Sequence, residues 1–221
     1  AITEQISETL RANNMTDGVH IRLTLSRGVK ITSGMDPRLN QSGPTLIVLA
    51  EHKPPVYDKQ GIRLITSSMR RPDPQVLDQK IHSANLLTSI LAKIEATAAG
   101  ADDALLLDQR GFVAETNATH LFFVIDGRVL TSTTHACPEG ITRAVVLELC
   151  RKHGLEHEVR DIRPEEAAGA EEVFCTGTMG ELAPVTEIDG RVVGDGTMGP
   201  VTQQLSRWFG EQVAAEGEPV L

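Results

Sequence analysis

Hydrophobic and polar positions follow three different patterns along the chain. In "VHIRLTLSRG", Ile21, Leu23 and Leu25 alternate with polar residues, which is the two-residue period of a half-buried strand. From about Ser83 to Ala99, apolar residues recur every three or four positions and the pattern ends at a glycine, so we expect a helix with an apolar stripe. The run "TLIVLA" is apolar throughout, which is typical of a strand buried on both faces.

The remaining elements do not alternate regularly between strand and helix. Helical spacing of apolar residues predicts a helix over 2–14 and a closing helix from Pro200, and a further helix is expected to begin at "GITR". Strands are predicted at "GIRLITSS", "DALLLD", "GFVAET", "HLFFVI", "VLTS" and "EEVFCTG". Grouped strands with flanking helices point to an α+β fold.

Composition narrows the classes of partner. The net charge of -9 and the pI near 5.3 argue against nucleic acid, which is bound through an excess of Lys and Arg, so a small-molecule substrate is expected. No stretch approaches the roughly 18 apolar residues of a membrane span. The three cysteines form no CxxC pair, which favours reduced thiols and a cytoplasmic location. His135 and Cys137 lack further ligands nearby in sequence, and we expect no metal site.

Lys80 is the first candidate for chemistry. It stands between the loop "RRPDPQVLD" and the predicted helix. Two interpretations stay open, because an exposed lysine is common at a helix start, whereas a lysine withdrawn from water loses proton affinity and becomes an amine nucleophile.

Glu115 and two small-residue turns are the other candidates. Glu115 lies between two apolar strands, where it is either a strand-end carboxylate in water or a buried group that needs a partner. "PEGITR" brings a glycine to a helix start, where unpaired N–H groups can bind an anion. The turn after "EEVFCTG" carries Thr178 and Gly180, whose N–H groups and hydroxyl could also surround an anion.

Lys80, Glu115, "GITR" and "TGTMGELAPV" occur in this order, and with them a family resemblance appears. From about Asp17 to the closing helix, the chain resembles the class IV, or fold type IV, pyridoxal-phosphate aminotransferases. This family includes branched-chain and D-amino-acid aminotransferases, (R)-selective amine transaminases and aminodeoxychorismate lyase. The resemblance implies an α+β fold with a barrel-like β core and flanking helices, pyridoxal 5'-phosphate as cofactor, and a homodimer.

The resemblance also implies a role for each matching residue. Lys80 resembles the catalytic lysine that forms the Schiff base and moves the proton. Glu115 resembles the carboxylate that faces the pyridine nitrogen. The positions that match phosphate-binding residues are Ile141, Thr142, Gly177 and Thr178. The positions that match substrate-carboxylate contacts are Arg22, Arg27 and Met179.

The resemblance is incomplete at the start of the chain. The family has a small N-terminal domain, whereas this chain opens at Ala1 inside a helical pattern. We therefore expect 1–75 to be a remnant of that domain with inter-domain strands, and 76–221 to be the cofactor-binding large domain. His120 also stands where relatives usually carry asparagine.

Ping-pong transamination between an amino acid or amine and a 2-keto acid is the expected function. Two alternatives stay open: a lyase of the aminodeoxychorismate lyase type that uses the same cofactor, and a truncated domain without activity.

Overall fold

The computed structural model describes residues 2–54, 56–57 and 60–221, and it divides the chain into two compact units. Unit 1 comprises Ala1–Pro54 and Gly217–Leu221, and unit 2 comprises Pro55–Glu216. By its contacts the chain therefore divides after residue 54, and the division into 1–75 and 76–221 stays a prediction. Ala1 lies outside the described residues.

Unit 1 consists of one helix and a two-stranded antiparallel sheet. Helix α1 spans Ile2–Ala12, and strands β1 (Val19–Ser26) and β2 (Thr45–His52) pair over their full length. The helix and the strand β1 are confirmed, but the expectation that β1 is half-buried through Leu23 and Leu25 is wrong, because both side chains are exposed. The expectation that "TLIVLA" is buried on both faces is wrong: Ile47 and Leu49 are exposed. The residues of β2 that alternate with these two are half-buried, and α1 packs against β2.

Unit 2 is built around a nine-stranded mixed sheet of the described residues, with the order β5-β4-β3-β10-β9-β6-β7-β8 and β11 paired to β10. Its strands are β3 (Ile62–Arg70), β4 (Asp103–Leu107), β5 (Val113–Thr116), β6 (His120–Ile125), β7 (Arg128–Thr131), β8 (His157–Val159), β9 (Glu172–Gly177), β10 (Glu181–Ile188) and β11 (Arg191–Val192). The pairs β3–β4, β3–β10 and β7–β8 are parallel. The other pairs are antiparallel.

Helices flank this sheet. They are α2 (Pro74–Leu77), α3 (Leu87–Ala98), α4 (Ile141–His153), α5 (Pro164–Ala167) and α6 (Pro200–Glu216). Helix α3 begins four residues later than predicted, because Gln79–Ile81 forms a separate 3-10 turn that ends at His82 with φ 51°. Its buried residues are Ala92 and Ala96, which pack with β3 and β4, while most of the larger apolar side chains of the stripe are exposed.

Both faces of the sheet are buried. Along β6, Leu121 and Phe123 belong to one apolar cluster, and Phe122 between them belongs to another, with side chains of α4 and α6. Alternation along a strand places neighbouring residues on opposite faces, so a sheet covered on both sides reads as a continuous apolar run. The predicted α+β fold is confirmed. Within the described residues, none of the helices combines the length and the apolar character needed to cross a membrane.

Candidate active site

A cavity of about 530 Å³ opens in unit 2 where the ends of β5 and β9 meet the start of α4. Several segments that are distant in sequence line it: the 3-10 turn, β5, the loop before α4 and the end of β9. The predicted site residues that line this cavity are Lys80, Glu115, Ile141, Thr142, Gly177 and Thr178. The structure thus brings these six together.

Lys80 lies in the middle of the 3-10 turn and is exposed. The carboxylate of Asp78 accepts a hydrogen bond of 3.0 Å from the Lys80 backbone N–H, which fixes the start of the turn. Lys80 therefore precedes α3 by seven residues and is not part of its first turn. Lys80 is exposed where it lines the cavity, and its role as an amine nucleophile stays a prediction.

Glu115 is buried on β5 and forms an ion pair. Its Oε1 lies 3.0 Å from Nη2 of Arg71, and both side chains are almost fully buried, with exposed fractions of 5% and 6%. Within the described residues Oε1 accepts no aligned hydrogen bond, so the contact is mainly electrostatic. Burial raises the pKa of the Glu115 carboxyl to about 7, although the Arg71 charge opposes this rise.

Arg71 is a residue of the site that the sequence interpretation missed. It directly follows β3, and its N–H donates to the Leu107 carbonyl at 2.9 Å. Its Nη1 donates to Oγ of Ser89 at 3.0 Å, and its Nη2 donates to the Thr116 carbonyl at 2.9 Å. The run "SMRRPDP" reads as a short basic loop, yet an arginine at the end of a buried strand is a signal for a buried ion pair.

His120 and Gly140 shape the loop before α4. Nε2 of His120 donates to the Pro138 carbonyl at 2.7 Å and lies 4.0 Å from Oε2 of Glu115. Because a carbonyl only accepts, Nε2 carries a proton, and burial lowers the pKa of this imidazole. A Cβ at Gly140 would lie 2.4 Å from Cε1 of His120, and its φ is +72°. Glycine is therefore required where the loop passes the ring.

The start of α4 is open to an anion. Gly140 is the N-cap residue, and no side chain caps the helix. Ile141 is exposed and Thr142 is buried at the wall of the cavity. Arg143, also at the wall, is buried and donates from Nη2 to the Ser132 carbonyl at 2.9 Å. The free N–H groups of the first turn and the guanidinium together favour a negatively charged ligand.

Three predicted substrate-binding residues are not among the residues that line the cavity. Met179 lies in the turn between β9 and β10, where its carbonyl accepts a hydrogen bond of 3.4 Å from the Val56 N–H. Arg22 on β1 and Arg27 just after it are exposed residues of unit 1. Their roles stay predictions.

Glu115, His120 and Cys137 offer potential metal ligands within 4.8 Å of one another. Their surroundings favour other roles. Arg71 already compensates the charge of Glu115, and Nε2 of His120 is bonded to Pro138. Burial raises the pKa of the Cys137 thiol to about 12, so the thiol is protonated at neutral pH. The three groups are thus engaged with protein partners or protonated, which disfavours their use as metal ligands.

Comparison with known proteins decides the family. The family model for amino-transferase class IV matches residues 1–188. The chain belongs to the class IV aminotransferases. This confirms the resemblance carried by the order of the four sequence motifs.

Class IV relatives are similar over nearly the whole of this chain. Branched-chain-amino-acid aminotransferase-like protein 2 of Arabidopsis thaliana is 53% identical over 220 residues, which are 99% of this chain and 39% of that protein. A putative branched-chain-amino-acid aminotransferase of Methanocaldococcus jannaschii is 41% identical over 205 residues, which are 92% of this chain and 70% of that protein. The chain therefore spans about two fifths of the length of the Arabidopsis relative.

A solved structure supports the same fold. The branched-chain amino acid aminotransferase of Thermobaculum terrenum, solved in its PLP-form, has a TM-score of 0.83 and 31% sequence identity. The similarity covers 95% of this chain and 68% of that one. At this identity and coverage the expected fold type IV core of the class IV aminotransferases is confirmed.

Proposed function

We propose that the chain catalyses pyridoxal-phosphate-dependent transamination between an amino acid or amine and a 2-keto acid. The observation that carries the proposal is that Lys80, Glu115 and the start of α4 line one cavity in a class IV aminotransferase chain. It is supported by the Thermobaculum terrenum relative, which was solved in its PLP-form.

The groups around the cavity fit such a cofactor. The uncapped start of α4 offers N–H groups to a phosphate, a contact that gains roughly 0.3 to 2 kcal/mol from the helix dipole alone. Thr142, Gly177 and Thr178 line the same wall. Glu115 lines the cavity, and within the described residues its Oε1 accepts no aligned hydrogen bond, so the carboxylate keeps acceptor capacity for a protonated ring nitrogen.

Lys80 is proposed as the Schiff-base lysine. Bound pyridoxal phosphate supplies an aldehyde that condenses with amines and a ring that withdraws electrons. Nζ of Lys80, a residue that lines the cavity, would take a proton from the substrate carbon and return it, a contribution of roughly 10²- to 10⁴-fold. Ionised Glu115 keeps the ring nitrogen protonated. Because one site serves donor and acceptor in turn, the kinetics are ping-pong.

The substrate side and the assembly belong to the same proposal. Arg22, Arg27 and Met179 are proposed to contact the substrate carboxylate, as the family resemblance implies. We further propose a homodimer in the cytoplasm, where the buried cysteines Cys137, Cys150 and Cys175 would stay reduced.

Reconstitution with pyridoxal phosphate tests the proposal. The wild type is treated with borohydride after loading, and peptide mass spectrometry locates the reduced cofactor. We expect it on Lys80, lost in Lys80→Ala and retained in Lys152→Ala, a matched change in the last turn of α4. Folded protein that carries no cofactor on Lys80 at saturating concentration contradicts the proposal.

Turnover separates transamination from elimination. Loaded protein is mixed with leucine as donor, and formation of the pyridoxamine form followed by its consumption with 2-oxoglutarate is the expected result. Release of pyruvate from an aminodeoxychorismate-like substrate without any acceptor would instead identify a lyase. Cofactor attachment without either reaction would identify a binding domain.

A further inference from the structure

We infer that Arg71 is a positioning residue for Glu115: it supplies a positive charge that favours the ionised form of this carboxylate without forming the paired hydrogen bonds that would occupy both oxygens, so that the carboxylate can still face the ring nitrogen of the cofactor. The part that concerns the cofactor rests on the proposed function. The part that concerns the charge of Glu115 stands on the geometry of the chain alone.

The contact between the two residues differs from the usual arginine–carboxylate pair. Such pairs often form two parallel hydrogen bonds and occupy both carboxylate oxygens. Here Nη2 of Arg71 lies 3.0 Å from Oε1 of Glu115, but its hydrogen bond goes to the Thr116 carbonyl at 2.9 Å. Oε1 has no aligned hydrogen bond among the described residues, and neither has Nε of Arg71. The carboxylate thus receives the charge without losing its acceptor sites.

The position of the guanidinium is fixed from several sides. Nη1 donates to Oγ of Ser89 in the first turn of α3. The backbone N–H of Arg71 donates to Leu107 on β4, and its carbonyl accepts from the side chain of Gln109 at 3.0 Å. The side chain is only 6% exposed. A group held by two strands and a helix cannot turn to form a bidentate pair without breaking these bonds.

Other charged or titratable groups near Glu115 do not replace this cation. Nε2 of His120 lies 4.0 Å from Oε2 of Glu115, but this nitrogen donates its hydrogen bond to the Pro138 carbonyl. Burial also lowers the pKa of the imidazole, which disfavours its charged form. Cys137 is held as a neutral thiol, and its interaction with Glu115 raises the thiol pKa further. Lys80 and Arg143 line the same cavity, and no ion pair joins either of them to Glu115 among the described residues. Removing the Arg71 charge would leave a buried carboxyl that favours its neutral form.

The test is a titration of the cofactor-free protein. The carbon-13 signal of the Glu115 carboxyl, assigned with Glu115→Gln, is followed against pH in wild type, Arg71→Gln, Arg71→Lys and Arg70→Gln. We expect Arg71→Gln to raise the Glu115 pKa by about one unit or more, since an opposite charge at this range shifts a carboxyl pKa by about 1 to 3 units. Arg71→Lys keeps the charge, and it should shift the Glu115 pKa by less than half of the shift caused by Arg71→Gln. Arg70→Gln, a change at the neighbouring exposed arginine, should leave it unchanged.

Two results would overturn the inference. One is an unchanged Glu115 pKa in folded Arg71→Gln. The other is measured on the wild type, so that it does not depend on the folding of a variant: a nitrogen–carbon coupling across an Arg71–Glu115 hydrogen bond would show that the guanidinium occupies the carboxylate. Absence of that coupling is expected.

Loading with pyridoxal phosphate then addresses the second part. At about pH 6, below the Glu115 pKa of about 7, we expect Arg71→Gln to bind the cofactor roughly tenfold more weakly than wild type, because a one-unit rise in that pKa lowers the ionised fraction of Glu115 about tenfold there. Arg71→Lys should restore most of the loss. Equal affinity in all variants would contradict the role toward the ring. If even the wild type takes up no cofactor, the proposed function fails, while the titration still decides the role of Arg71.

Discussion

Glu115 should make the stability of the cofactor-free chain fall as pH rises through neutrality. The folded pKa is raised to about 7 from an ordinary value of 4.5, so the folded state binds this proton more tightly than the unfolded state. The contribution is fully present below the unfolded pKa and is lost as pH rises through the folded pKa. At about 1.4 kcal/mol per unit, the shift corresponds to about 3 kcal/mol in the free energy of unfolding.

Urea denaturation of wild type and Glu115→Gln at about pH 5 and about pH 8.5 measures this term, because the shared contributions of other groups cancel between the two proteins. We expect Glu115→Gln to gain about 3 kcal/mol on wild type over this interval. Glu148→Gln, a change at an exposed residue of α4, is the matched control and should track the wild type. Parallel curves for wild type and Glu115→Gln would refute the argument that burial dominates over the Arg71 charge.

Two further substitutions test the loop before α4 and the start of α6. Gly140→Ala places a Cβ 2.4 Å from His120 at positive φ, and we expect it to cost about 1 to 3 kcal/mol in urea denaturation and to weaken phosphate binding. Gly154→Ala, also at positive φ but in open space, is its control, and an equal loss in both would show that the ring contact is unimportant. Glu172→Gln should cost about 1 to 3 kcal/mol in the same assay, because this buried carboxylate accepts from the N–H groups of Val201 and Thr202 at 2.9 and 2.8 Å. An unchanged midpoint would mean that the cap adds nothing.

Local sequence patterns predicted most of the secondary structure. They did not predict how many faces of each strand or helix are covered by other elements. The run "TLIVLA" has the same composition whether one or both faces of its strand are covered, and in unit 1 only the face of β2 that α1 covers is half-buried. Likewise the spacing in α3 predicts a stripe, yet the small residues Ala92 and Ala96 face the sheet. Which face is buried depends on packing partners that are distant in sequence.

The candidate site could be predicted where a motif carries its own chemistry. Lys80, Glu115 and the glycine before α4 are residue types whose roles follow from an amine, a carboxylate and a helix start. Arg71 could not be found in this way, because its partner lies 44 residues further along the chain and only the pairing of β4 with β3 and β5 brings them together.

Strand β10 was not predicted, and Pro184 inside it is the reason. Proline lacks the N–H that a central strand needs on both sides. The structure accommodates the proline because β10 pairs with β9 from Glu181 to Val185 and with β3 only from Val185 onward. Among the residues that the structure describes, no strand pairs with the other side of β10 at Pro184.

The place of β10 in the chain means that the sheet receives its linking strand late in synthesis. It is the strand that joins the group β5-β4-β3 to the group β9-β6-β7-β8, and its parallel register with β3 links residues more than 120 positions apart, such as Ile62 and Val185. During synthesis the hydrogen-bonded path between the two groups is complete only after β10 has been made. Contacts of such long range slow folding. All residues that line the cavity precede β10, so a nascent chain stopped after Thr178 would carry every one of them without the strand that links the two groups.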